Sequence, residues 1–283
     1  MAGRRPDLAK TSLRRVSDPL HDFARSTFTH DGKTRDVYEL GEGPAVIVMA
    51  EIPGITPNVA AFARRVVDQG CTVVLPHLFG EPGAPVSVPG ALRSMVPACV
   101  SKEFAAFAAN RTAPVTVWLR ALAADAHERC GGPGVGAVGM CFTGGFALAM
   151  MVDERLIAPV LSQPSLPIGL TDKARRGLQL SDADLARVKA RTADGVCVLG
   201  LRFTGDPVVR AERFERLRQE LGDNFIGVEI DSSKGNPWGF PRNAHSVLTE
   251  HLVDEPGNPT HDALNQVLDF FRQRLVEPTP AAD

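Results

Sequence analysis

The chain has 283 residues, 44% hydrophobic and 23% charged, enough for one well-buried domain and marginal for two. Lysine and arginine number 31 against 33 aspartate and glutamate, a net charge of −2, so there is no bulk positive field to hold a polyanion and nucleic acid is not expected as a partner. Five cysteines at 71, 99, 130, 141 and 197 lack the paired short spacings of zinc or disulfide frameworks, and the longest apolar runs, 45–50 and 146–152, fall far short of a bilayer span. With no signal-peptide pattern at the start either, the expectation is a cytoplasmic protein without metal, cofactor or membrane partner.

Residues 1–26 mix charges with few large apolar side chains and read as an arm; 27–283 read as a single domain. Two extended stretches, 27–30 and 34–40, flank Asp31-Gly32, a dipeptide suited to a tight hairpin turn. The run 45–50 (AVIVMA) is apolar throughout, as in a strand covered on both faces. Thr56-Pro57 then supplies an N-cap and a proline at the first helical position, ahead of apolar residues at 59, 62, 63, 66 and 67. A second strand at 71–75 leads into a proline- and glycine-rich loop, after which Pro114 opens a helix. Further strands are expected at 135–140, 156–160, 196–203 and 225–230, with a closing helix through Leu264, Val267, Leu268, Phe271 and Leu275.

Alternating strands and helices imply a mostly parallel sheet with helices on both faces, and in such sheets ligands sit beyond the carboxyl ends of the strands. The chemistry is therefore sought at Glu51, His77, Cys141, Asp206 and 231–245. Residues 163–192, with a helix expected from Ser181-Asp182 onward, read as an insertion able to cap that edge.

Around Cys141 the sequence runs Gly139-Met140-Cys141-Phe142-Thr143-Gly144-Gly145. Small residues on both sides let a strand turn abruptly into a helix with the apical side chain exposed, the geometry of a nucleophile elbow. A thiol there meets the positive end of the helix dipole and the first free N–H groups, which favour a thiolate and can hold an oxyanion. Cys71 and Cys197, placed inside strands, read as small buried hydrophobes. In this architecture the order is nucleophile, acid, histidine, and the chain supplies it: Asp206 follows the strand at 196–203, and His245 follows the last strand. Asp231 is the alternative acid. Glu51, ending an apolar strand, is costly unless it faces a polar cleft.

The stretches 45–55 (AVIVMAEIPGI), 70–80 (GCTVVLPHLFG) and 138–145 (VGMCFTGG), with Gly205-Asp206 and Ala244-His245-Ser246, together resemble the dienelactone hydrolase family of α/β hydrolases over about 45–275. The resemblance implies an α/β-hydrolase fold and a Cys141, Asp206, His245 triad that opens a lactone through an acyl-cysteine without metal or cofactor. It further implies that Glu51 contacts the resting thiol and that the backbone N–H groups of Ile52 and Phe142 form the oxyanion hole. Thr143 stands where the family usually has glycine, and His77 where it commonly has aspartate. Arg93 and Arg242, by region, and His77 are the substrate-binding candidates. The expected function is hydrolysis of a small lactone or carboxylic ester, the substrate being the only expected partner; a general carboxylesterase or thioesterase, or a non-catalytic thiol sensor or small-acid binder on the same fold, are the alternatives.

Overall fold

The hairpin that opens the sheet is a direct product of its turn. In the computed structural model, which describes residues 19–104, 111–165 and 175–277 without the side chains of Val88, Cys99 and Val100, strands β1 (Ala24–His30) and β2 (Lys33–Leu40) pair antiparallel across Asp31 and Gly32. Both turn residues have positive φ, 48° and 70°, which matches the right-handed twist of the strands they join. Six further strands follow: β3 (Ala45–Met49), β4 (Thr72–Pro76), β5 (Val135–Met140), β6 (Leu156–Ser162), β7 (Val198–Phe203) and β8 (Phe225–Ile230). They form one sheet in the order β1-β2-β4-β3-β5-β6-β7-β8, parallel from β4 to β8. This is the mostly parallel, helix-covered sheet expected from the strand–helix alternation, and it agrees with the α/β-hydrolase fold that the resemblance implies.

The continuous apolar runs are explained by two cores, one on each face. Ala45, Ile47 and Met49 of β3 point into one, while Val46 and Val48 point into the other. The first is closed by helices α3 (Val115–Cys130), α4 (Gly144–Met150), α5 (Asp182–Ala193) and α6 (Ala211–Leu221), and the second by α1 (Pro57–Val67) and α7 (Pro259–Phe271). Thr56 caps α1 as expected, its hydroxyl accepting the Val59 N–H at 3.3 Å.

Several expectations need correction. The stretch read as a proline- and glycine-rich loop contains a helix, α2 (Val88–Val100), capped by Ser87, with Pro89 in its first turn and Pro97 near its end. Proline in the first turn removes an N–H that has no acceptor in any case, and a late proline disturbs only the last turn, so neither prevents the helix. Cys71 and Cys197 immediately precede β4 and β7 rather than lying within them. Of the arm expected over 1–26, the part up to residue 18 lies outside the described residues; beyond it, Leu20 and Phe23 are buried against the second core and β1 already begins at Ala24. Of 163–192, residues 166–174 lie outside the described residues; α5, capped by Ser181, packs beside α4 and α6 in the helical layer, and its Arg191 guanidinium donates to the carbonyls of Met151, Glu154 and Leu156. Among the described residues, no helix is long and apolar enough to cross a membrane.

Candidate active site

β5 ends at Met140 and the chain reverses direction within Cys141–Thr143, a single 3-10 turn that runs straight into α4. Cys141 sits at the apex with φ 55°, a left-handed conformation that costs a non-glycine residue about 1–3 kcal/mol and persists only where its surroundings enforce it. The glycines show what enforces it. A Cβ on Gly139 would lie 2.2 Å from the Thr143 carbonyl oxygen, one on Gly144 2.6 Å from Pro164 Cα, and one on Gly145 2.0 Å from Gln179 Oε1. Thr143, where glycine was expected, reinforces the turn: its buried hydroxyl accepts the Met140 N–H at 2.8 Å and lies 2.9 Å from the Met49 carbonyl at the end of β3. The elbow is thus tied to the neighbouring strand.

Asp206 and His245 arrive from other strand ends. Asp206 follows β7 with its side chain fully buried, and its Oδ2 lies 2.6 Å from His245 Nδ1. Its Oδ1 accepts the Val208 N–H at 2.8 Å, so both carboxylate oxygens are held. Burial opposes charge on the His245 imidazole, but the neighbouring Cys141 and Asp206 outweigh it and hold His245 well above its ordinary value. Asp231, the alternative acid, is exposed and bonds Ser233 instead.

Both carboxylate oxygens of Glu51 are bonded. Its carboxylate accepts the Ser246 hydroxyl at 2.6 Å, the Thr249 hydroxyl, and Gln163 Nε2 at 3.3 Å. Burial pushes its pKa up, while those two hydroxyls pull it back. A hydrogen-bond partner of the Cys141 sulfur is Ser165, whose Oγ lies 3.1 Å from Sγ. Glu51 therefore grips the loop that carries His245. His251 grips the same loop from the other side: its Nδ1 accepts the N–H groups of His245 at 3.4 Å and Ser246 at 3.2 Å, with its ring edge against Phe203. A ring nitrogen that accepts must be unprotonated, in keeping with a pKa lowered by burial and by the adjacent His245.

Phe142 is the second residue of the 3-10 turn, where no carbonyl of that turn can accept its N–H, and its ring packs among Phe79, Phe104 and Phe146. Ile52 follows Glu51 in the turn closed by a 2.7 Å bond from Gly54 N–H to the Glu51 carbonyl. The remaining candidates are more distant. Arg93 lines a cavity of about 290 Å³ with Pro53, Gly54, Gly80 and Ser94. Arg242 lines another of about 470 Å³ with Asp206 and Arg210. His77 bonds the Gly80 carbonyl at 2.9 Å beside β2. Among the described residues no cluster of three or more histidine, cysteine or acidic side chains is placed to hold a metal.

The model of the dienelactone hydrolase family matches residues 36–275. The chain belongs to the dienelactone hydrolase family. Solved structures agree on the fold: a Klebsiella pneumoniae protein assigned as a dienelactone hydrolase is 18% identical, with 89% of this chain and 98% of that one covered at a TM-score of 0.59. A cold-adapted esterase from an Arctic intertidal metagenomic library is 14% identical, covering 89% and 92% at a TM-score of 0.52. DcsB, solved with its substrate analogue, is 12% identical, covering 90% and 100% at a TM-score of 0.56. No curated protein matches the chain. Within the dienelactone hydrolase family frame, Ser165, Gln163, Thr249 and His251 are the site residues that sequence reasoning missed. Each is a polar residue in an irregular segment, with no motif around it, and only its tertiary neighbours give it a task.

Proposed function

We propose that this member of the dienelactone hydrolase family hydrolyses a small carboxylic ester or lactone with Cys141 as nucleophile, His245 as general base and acid, and Asp206 as the group that orients the imidazole. The observation that carries this reading is the 2.6 Å Asp206–His245 bond beside a cysteine held at positive φ. With Nδ1 engaged by Asp206, Nε2 is the nitrogen that serves the sulfur. The thiolate attacks the carbonyl carbon, and the resulting oxyanion is taken by the N–H groups of Phe142 and Ile52. On collapse the C–O bond breaks and the imidazolium gives its proton to the departing oxygen. From a lactone that oxygen stays tethered to the acyl group; from an ester it leaves as an alcohol. Water, deprotonated by the neutral imidazole, then attacks the thioester, and the thiolate departs with the acid released.

A lactone or ester with an acidic arm suits the cavity beside Pro53, because Arg93 on its wall is adjacent to the turn that offers the Ile52 N–H. Arg242 is a weaker choice, since its cavity lies on the Asp206 side.

The test is turnover of a panel of activated esters and lactones, acidic and neutral, by the protein, Cys141→Ala and Asp206→Asn. The expectation is a covalent acyl adduct on Cys141 by intact mass, no turnover in Cys141→Ala, and a loss of about 10³-fold or more in Asp206→Asn. Arg93→Ala should raise KM for an acidic substrate more than for a neutral one of equal size. Undiminished hydrolysis by Cys141→Ala sinks the reading.

A further inference from the structure

The segment after β6 carries groups that the triad does not use. Gln163 turns with φ 36° and sends Pro164 and Ser165 along the elbow, where Gly144 leaves no room for a side chain against Pro164. Ser165 is 2% exposed and bonds the nucleophile twice, its N–H donating to the Cys141 carbonyl at 2.9 Å and its hydroxyl meeting Sγ at 3.1 Å. The carbonyl one residue earlier, that of Pro164, accepts Arg213 Nη1 at 2.7 Å.

Arg213 lies in the first turn of α6 and is 3% exposed. Such a buried cation is costly unless negative charge or hydrogen bonds meet it. Burial pulls its guanidinium down to about 10, and nearby Cys141 pushes it back up.

We propose that Ser165 and Arg213 form a bridge that holds the Cys141 thiolate: the Ser165 hydroxyl donates to the sulfur, while Arg213 fixes the Pro164–Ser165 backbone from which that hydroxyl reaches the nucleophile. This rests on the reading of Cys141 as the nucleophile. Ser165 touches the reacting atom and is a catalytic residue in this scheme; Arg213 acts through the bridge and is a positioning residue. It also explains why Glu51 is free to hold the histidine loop, since the sulfur has its own polar partner.

The measurement is the rate of Cys141 alkylation by iodoacetamide from pH 4 to 10, followed by peptide mass, in the protein, Ser165→Ala, Arg213→Met and Arg213→Lys, alongside kcat and KM for any ester turned over. Ser165→Ala and Arg213→Met should each move the alkylation midpoint up by about one unit and slow alkylation about tenfold below it. Arg213→Lys, which keeps the charge, should recover most of the shift. In turnover, kcat should fall with little change in KM. A folded Ser165→Ala protein with an unchanged or lowered midpoint overturns the proposal, because the hydroxyl would then be accepting from a neutral thiol. That variant loses only one oxygen, so it decides the matter even if Arg213→Met does not fold. Alkylation reads the thiol directly: the shifts stand without any ester turnover, whereas undiminished hydrolysis by Cys141→Ala removes the nucleophile reading whatever the midpoints show.

Discussion

Cys141 and His245 meet in the fold, yet the segments that carry them are built differently. The run 139–145 is fixed mainly by close contact: Gly139 admits no Cβ against the Thr143 carbonyl, Gly144 and Gly145 none against Pro164 and Gln179, and the Thr143 hydroxyl accepts the N–H of Met140 three residues back. His245 sits in the connection 231–258 between β8 and α7, which contains no helix or strand. That loop is held by Glu51 and Gln163 from far along the chain and by His251 from within it. A turn fixed by close contacts is stiff by sterics, while a loop held by hydrogen bonds is only as firm as the network of partners. The elbow should therefore fail through packing and the loop through loss of acceptors.

The largest effect is expected at the elbow. In Gly139→Ala the new Cβ meets backbone, at the Thr143 carbonyl, so relief requires the turn itself to move. A stability loss of about 3 kcal/mol or more is expected, with loss of turnover. A denaturant melt showing less than about 1 kcal/mol would mean the elbow is not sterically determined.

Next comes the loop. Glu51→Ala strands the hydroxyls of Ser246 and Thr249 and the Gln163 amide, for a cost of about 2–3 kcal/mol and a fall in kcat as His245 loosens. Glu51→Gln separates charge from shape. Because burial raises the Glu51 pKa, the carboxyl contributes stability fully below its unfolded value of about 4.3 and loses it as pH rises through the folded value. Relative to Glu51→Gln, the unaltered protein should thus lose ground between pH 4 and 8. Melts with a constant difference across that range would refute a buried, strained carboxylate.

A smaller change is expected at His251. Replacing it by Phe removes the acceptor for the N–H groups of His245 and Ser246, at about 1–2 kcal/mol. Its lowered pKa makes its contribution present above the unfolded value of about 6.5 and lost as pH falls through the folded value. The variant should accordingly lack the part of the acid-side stability loss that His251 causes. The smallest effect is Thr143→Ser, which keeps the hydroxyl and drops a methyl, expected below about 1 kcal/mol; Thr143→Val, which keeps the shape and drops the hydroxyl, should cost more. Reversal of that order would show that the methyl, not the hydroxyl, secures the elbow.

How much of this was legible in the sequence follows the same division. The strand at 45–49 could be read because a run covered on both faces is apolar at every position, and the elbow because its glycines stand beside the residue they serve. The hairpin was legible in Asp31-Gly32 for the same local reason. Helix α2 was not, since Pro89 and Pro97 look like breakers until their positions at the two ends of a helix are known. Glu51 stood out as a misplaced carboxylate, but nothing nearby in the sequence says that it answers to Ser246 and Thr249. Ser165, Gln163 and Arg213 carry no local signature at all, because the sulfur, carboxylate and carbonyl they meet are brought to them only when parallel strands align their carboxyl ends along one edge of the sheet.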